Sequence, residues 1–168
     1  MSNTLIVINE VLTEEENKLM LTYFEKNLLS QFIDGNIETL EENGLPLKKI
    51  LKKVSNYFDL SNMVGLECWC HKNTHPGWHV DFDDVHMFKT KEQKTPICSI
   101  VYYAKIENLI GGKLLTHTES YTPKTNDIVT FAPGVMHNVE NFTGERIIIA
   151  LNPWDYKIEK FKLNKTLL

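Results

Sequence analysis

The chain has little that would place it in a membrane, in an oxidising compartment or on nucleic acid. Cysteine occurs three times, as Cys68, Cys70 and Cys98, an odd number without the spacing of a disulfide framework, which suits a reducing compartment. No apolar run approaches the ~20 residues that cross a bilayer. The opening Met1-Ser2-Asn3-Thr4 has no basic n-region, and the run Leu5 to Ile8 behind it is too short for a signal peptide. The cytoplasm, without membrane contact, is therefore the expected location. A basic surplus is also missing: the net charge is -4, so little is available to neutralise phosphates and nucleic-acid binding is disfavoured. No repeat or low-complexity tract appears. The hydrophobic share of 42% and charged share of 24% are those of a folded globular chain, and 168 residues suit one domain.

Two helices come first. Thr13 followed by Glu16 fits a capping box, and Leu19, Met20, Tyr23, Phe24 and Leu28 recur at helical spacing, which predicts a helix over Glu14 to Asn27 behind a strand at Leu5 to Ile8. Pro46 suits the first turn of a second helix, with Leu47, Ile50, Leu51, Val54, Tyr57 and Phe58 as its apolar stripe. Lys48, Lys49, Lys52 and Lys53 read as its solvated face rather than a phosphate patch. Residues 30–45 carry turn signals and no clear element. From Asn62 the pattern turns strand-like: Met63 to His71, Gly77 to Asp81, Pro96 to Lys105, Gly112 to His117, Asp127 to Phe131, His137 to Asn141 and Glu145 to Leu151 are short segments between turn residues. The fold expected is mainly β with N-terminal helices (α+β). It is an antiparallel two-sheet jelly roll, a double-stranded β-helix, with supporting helices on one face. As a single domain over 1–168 it has helical support in 1–60 and the jelly-roll core at about 62–152. The tail from Trp154 to Leu168 is a closing strand or helix.

The chemistry gathers at Trp78-His79-Val80-Asp81. In an extended chain positions i and i+2 share a face, so His79 and Asp81 reach one point. Of six histidines, only His79 has such a carboxylate in a strand-like window. Asp83 and Asp84 lie too far along, and His71 and His75 suit loop or supporting places. Thr130-Phe131-Ala132-Pro133-Gly134 leads a strand into a Pro-Gly turn that can aim His137 inward. Two imidazoles and one carboxylate on one side of an ion leave three positions open, as in non-haem Fe(II) oxygenases. Arg146 sits on a strand that puts Arg146, Ile148 and Ala150 on one face and Ile147, Ile149 and Leu151 on the other. Both faces are apolar, and a charge there needs a partner. The bland readings are a packed histidine, an arginine beside Glu145 or Glu140 at a sheet edge, and, at Cys68 and Cys70, small buried apolar residues.

His79-x-Asp81, Gly111-Gly112-Lys113-Leu114, the distal His137 and Arg146 resemble, in that order, the 2-oxoglutarate and Fe(II)-dependent dioxygenases, and their prolyl 4-hydroxylase-like branch most closely. The resemblance implies His79, Asp81 and His137 as metal ligands and Arg146 on the far carboxylate of 2-oxoglutarate. Its cofactors would be Fe(II), 2-oxoglutarate and O2, with ascorbate as an optional addition. A tyrosine from the strand before Gly-Gly would assist Arg146. Aligning Ile100-Val101-Tyr102-Tyr103-Ala104 on the family's Tyr-Leu-Asn step favours Tyr102, and aligning on a double tyrosine favours Tyr103; the first alignment is preferred, so Tyr102 is the expected residue. The reaction implied is hydroxylation with release of succinate and CO2. The substrate would be a prolyl or other protein residue, an amino acid or a nucleobase, under a lid at Asp83 to Thr95, with Trp69, Trp78 and Phe82 as apolar walls. Ala132-Pro133-Gly134 and His137 also resemble the second cupin motif, which leaves a cupin-like metalloenzyme without 2-oxoglutarate as the alternative. The first cupin motif, however, uses paired histidines and a later glutamate, where this chain has His79 and Asp81. A non-catalytic jelly-roll binding module is the third reading.

Overall fold

The computed structural model describes residues 5–26, 30–40 and 45–159. The run Leu-Ile-Val-Ile forms β1 (Leu5–Ile8). Helix α1 (Glu14–Lys26) starts at the expected capping box: the Glu16 N–H donates to Thr13 Oγ1 (3.2 Å) and the Thr13 N–H donates to Glu16 Oε2 (2.7 Å). Met20 and Phe24, one turn apart, are its buried residues. Its expected last residue, Asn27, lies outside the described residues. The stretch without a predicted element contains a short strand, β2 (Gln31–Asp34). Helix α2 (Leu47–Val54) has Pro46 at its N-cap and buries Leu47, Ile50, Leu51 and Val54. It ends sooner than the stripe suggested: past Ser55 the chain turns, and Tyr57 is 54% exposed. Three of the four lysines are paired at the surface, Lys48 and Lys52 with Glu38 and Lys49 with Glu16.

The remaining elements are β3 (Gly65–Lys72), α3 (Asp84–Thr90), β4 (Ser99–Gly111), β5 (Leu114–Thr116), β6 (Ser120–Tyr121), β7 (Ile128–Phe131), β8 (His137–Val139) and β9 (Phe142–Trp154). The strand expected at Gly77 to Asp81 reduces to a single bridge at His79. Where a polar lid was expected there is α3. Its N-cap is Asp83, whose Oδ1 accepts from the His86 N–H (2.9 Å). With Val85 its sole buried residue, α3 has no apolar stripe to show in the sequence. Trp154 ends β9; residues 160–168 of the predicted closing element lie outside the described residues.

The fold is mainly β. Among the described residues, one antiparallel sheet has six strands in the order β1-β7-β4-β9-β3-β2, and a second has three in the order β6-β5-β8. The N-terminal region gives the large sheet both of its edge strands as well as two helices. The chain passes from the large sheet to the small one at Gly111-Gly112, both at positive φ (80° and 73°). A Cβ on Gly111 would stand 2.2 Å from the Asn141 carbonyl oxygen, so no larger residue fits this crossing.

Alternation on the long central strands divides the core. One face of the large sheet, with Ile100, Tyr102, Ile147, Ile149 and Leu151, packs against Met20 and Phe24 of α1 and the apolar side of α2. Cys68, Cys70 and Cys98 are free and buried in this layer, as small apolar residues. The other face, with Val101, Tyr103, Ile148 and Ala150, meets Leu114 of the small sheet together with Val129 and Phe131. No helix among the described residues is long and apolar enough to cross a membrane.

Candidate metal centre

His79 and His137 face each other because the backbone makes them do so. Their residues form an antiparallel bridge in which the His79 N–H donates to the His137 carbonyl (3.0 Å) and the His137 N–H donates to that of His79 (2.9 Å). Residues so paired carry side chains on one face, and the two rings lie 4.1 Å apart between centroids. Asp81, two positions on, reaches the same point: one ligand atom from each of His79, Asp81 and His137 lies within 4.8 Å of the others. One bridge, without a full strand, therefore suffices for the i, i+2 arrangement.

Each donor is oriented by a neighbour. Nδ1 of His79 lies 2.7 Å from the Gly77 carbonyl oxygen and Nδ1 of His137 lies 3.0 Å from that of Val135. A carbonyl only accepts, so each Nδ1 carries the proton and each Nε2 presents its lone pair toward the shared point. Ser99 donates through Oγ to Asp81 Oδ2 (2.6 Å), which leaves Oδ1, 3.8 Å from His79 Nε2, turned inward. Burial holds the His137 imidazole below the usual histidine range, against the opposing pull of Asp81, and so favours the neutral ring that a metal requires.

Arg146 lies in the same pocket, which Trp69, Leu114, Val139 and Ile148 also line. The residue is 2% exposed, and its Nε has no hydrogen-bond partner. Its guanidinium lies 5.4 Å from the Tyr103 ring centre and 5.9 Å from that of Phe142, and among the described residues no carboxylate pairs with it. Glu145, a candidate neighbour, pairs instead with Lys105. Burial lowers the Arg146 pKa, and the neighbouring Tyr103 opposes that shift. The Tyr103 hydroxyl is likewise buried and unpartnered, and burial pushes its phenol up to about 12 while Arg146 pulls the other way.

The expectation of Tyr102 is corrected. Its hydroxyl donates to Asn17 Oδ1 (2.7 Å) on the helix-packed face, with Asn126 Oδ1 at 3.2 Å. Strand alternation places Ser99, Val101 and Tyr103 on the site face, so Tyr103 is the tyrosine beside Arg146. Asp83 is a helix cap whose Oδ2 accepts from the Tyr156 hydroxyl (2.9 Å), not a competing ligand. His75 stacks on Phe142, while His71 lines the pocket and accepts from the Trp69 indole N–H (2.5 Å). Of the expected walls, Trp69 lines this pocket. Trp78 is exposed and stacks on His117.

Ser99 and the two orienting carbonyls were missed in the sequence. Ser99 was visible in principle, two positions before Val101 and four before Tyr103 on one strand face. The carbonyls carry no side-chain signal at all.

No protein-family model matches the chain, and no curated protein matches it by sequence. Solved structures do match. A viral collagen prolyl hydroxylase from Paramecium bursaria Chlorella virus-1, in complex with 2-oxoglutarate, superposes with a TM-score of 0.62 at 16% identity, over 90% of this chain and 96% of that one. A prolyl-4-hydroxylase from Pseudomonas putida gives 0.62 at 16% identity, over 94% and 87%. The fold is that of the prolyl 4-hydroxylases. HygX from Streptomyces hygroscopicus, with nickel and 2-oxoglutarate bound, shares this fold at a TM-score of 0.55 and 12% identity, over 96% of this chain and 89% of that one. In the present version of the prolyl hydroxylase fold, the sequence-predicted His79, Asp81, His137 and Arg146 line one pocket, and Tyr103, not Tyr102, is the tyrosine near Arg146.

Proposed function

We propose that this protein is an Fe(II)- and 2-oxoglutarate-dependent oxygenase that hydroxylates a second substrate with release of succinate and CO2. In this reading the two sheets are the halves of a double-stranded β-helix in one domain. The observation that carries it is Arg146: a fully buried cation with no anion, in the pocket that also holds two imidazoles and a carboxylate. Burying an unpaired charge is expensive, and a site that does so is built for a ligand of opposite charge.

The residues fit both groups. Two Nε2 atoms and one carboxylate oxygen are a donor set for Fe(II) with open positions. Arg146 offers a fork of donors matched to a carboxylate, and the unpartnered Tyr103 hydroxyl offers one more donor beside it. Iron and 2-oxoglutarate, when bound, supply the oxidising power for hydroxylation. The protein's part is placement. His79, Asp81 and His137 hold the metal, Ser99 fixes the carboxylate, and Arg146 with Tyr103 anchors the dicarboxylate. Trp69, Leu114, Val139 and Ile148 keep water from the reacting atoms. The substrate first favoured is a residue of a protein, prolyl or other.

Anaerobic titration of the Fe(II)-loaded protein with 2-oxoglutarate tests this reading. Micromolar binding with a charge-transfer band, abolished in Arg146→Ala, is expected. A metal-loaded protein that ignores 2-oxoglutarate, and whose activity survives Arg146→Ala, would instead be the cupin-like enzyme.

A further inference from the structure

A second cavity of about 540 Å³ opens beside the metal pocket and shares Trp69, His71, His79 and Asp81 with it. Its character is opposite to that of the Arg146 end. On β3 the residues facing this side are Glu67, Trp69 and His71, and their partners across β9 are Asn152, Ala150 and Ile148. The trough thus runs from a buried cation at Arg146 to a carboxylate and an amide at Glu67 and Asn152. Those two ends lie six β9 positions apart, or roughly 20 Å. Asp84 also lines the far end, Phe82 supplies an apolar wall, and among the described residues neither lysine nor arginine lines the cavity.

Asn152 gives this end an unused polar group. It is 2% exposed and faces the cavity, yet among the described residues its side-chain amide makes no hydrogen bond. Its neighbour Glu67 is held in place, with Oε1 accepting from Ser30 Oγ (3.1 Å) and Oε2 from the Trp154 indole N–H (3.3 Å). An oriented carboxylate beside an unpaired amide oxygen, behind an indole and a phenyl wall, is a seat for a cation on an apolar stem.

We infer that the prime substrate carries a protonated amine or guanidinium on an aliphatic stem, seated at Glu67, Asn152 and Asp84 with the stem along Trp69 and Phe82 toward the metal ligands. The inference rests on the oxygenase reading and narrows its substrate class. The group could belong to a free basic amino acid or to a basic side chain in a peptide.

Calorimetric titration of the nickel-loaded protein with L-lysine, a capped lysine tripeptide and a capped proline tripeptide tests it without turnover. At least one lysine ligand should bind tenfold or more tightly than the proline tripeptide, and more weakly as salt is raised. Preference for the free amino acid assigns a small-molecule substrate, and preference for the tripeptide a protein side chain. Glu67→Gln should weaken lysine binding about tenfold and leave 2-oxoglutarate affinity within twofold. Asp84→Asn, exposed at the start of α3 and harmless to the fold, should weaken it about threefold. Absent lysine binding, equal binding of the proline tripeptide, or indifference to both substitutions overturns the inference while 2-oxoglutarate binding to the same samples stands. Failure of 2-oxoglutarate to bind the unmodified protein overturns the oxygenase reading, and the lysine titrations remain readable.

Discussion

The two faces of the six-stranded sheet are built from alternate residues of the same strands and do opposite things. The face under α1 and α2 is closed: Ile100, Ile147, Ile149 and Leu151 pack against helix side chains, and the Tyr102 hydroxyl bonds to Asn17 and Asn126. The other face leaves Arg146 Nε and the Tyr103 hydroxyl buried without partners and gathers three metal-type donors. The first face is an apolar layer with its polar groups satisfied, and the second, besides its own apolar core, keeps buried polar atoms without partners. Substitutions on one should therefore move quantities that substitutions on the other leave alone.

The sharpest break in that division is expected from Asp81→Ala. Elemental analysis should find metal near stoichiometric in the unmodified protein after loading and near background in the variant, with little change in thermal unfolding of the metal-free forms. Next comes Arg146→Ala, which should raise the 2-oxoglutarate dissociation constant by about 100-fold or more, the scale for removing one partner of a buried charge pair. Its effect on metal-free stability should be neutral or favourable, because an unpaired buried charge is lost. Ile149→Ala, one strand face away, should do the reverse. Urea unfolding should show a loss of about 2–5 kcal/mol, with 2-oxoglutarate affinity unchanged in the folded fraction. Ligand affinity falling with Ile149→Ala, or stability collapsing with Arg146→Ala, would mean the faces are not separate.

Finer tests use the tyrosine pair. Tyr103→Phe should weaken 2-oxoglutarate binding up to tenfold at constant stability, whereas Tyr102→Phe should cost about 1 kcal/mol of stability at constant affinity. The smallest effect expected is a pH dependence at His71, whose pKa burial lowers, with Arg146 adding to the shift. A lowered pKa means that the unfolded chain takes up the proton first. The contribution of His71 to stability is complete above about 6.5 and is lost as pH falls through its folded value. Stability curves of metal-free protein between pH 7 and 5 should be flatter for His71→Gln.

Much of this was legible beforehand because it is periodic. The i, i+2 spacing of His79 and Asp81, the alternation around Arg146 and the Thr13/Glu16 cap are local patterns, and the matching geometry is present in the structure. What escaped depended on partners distant in sequence. β2 is a strand because it lies against β3, not because Gln-Phe-Ile-Asp demands it. Tyr102 and Tyr103 are indistinguishable until Arg146 on the facing strand says which side is the site. Helix α3 buries one residue, too little for a periodic signal, and is marked chiefly by its aspartate cap.

The two outermost strands of the large sheet, β1 and β2, are made before their partners: Leu5 must wait for Phe131, and Gln31 for Cys68. During translation the β-branched β1 therefore leaves the ribosome without its pairing strand until β7 has followed. Such long-range pairing slows folding and leaves sticky backbone available to other nascent chains. Cellular yield should accordingly depend on chaperone supply more than the finished protein's stability would suggest.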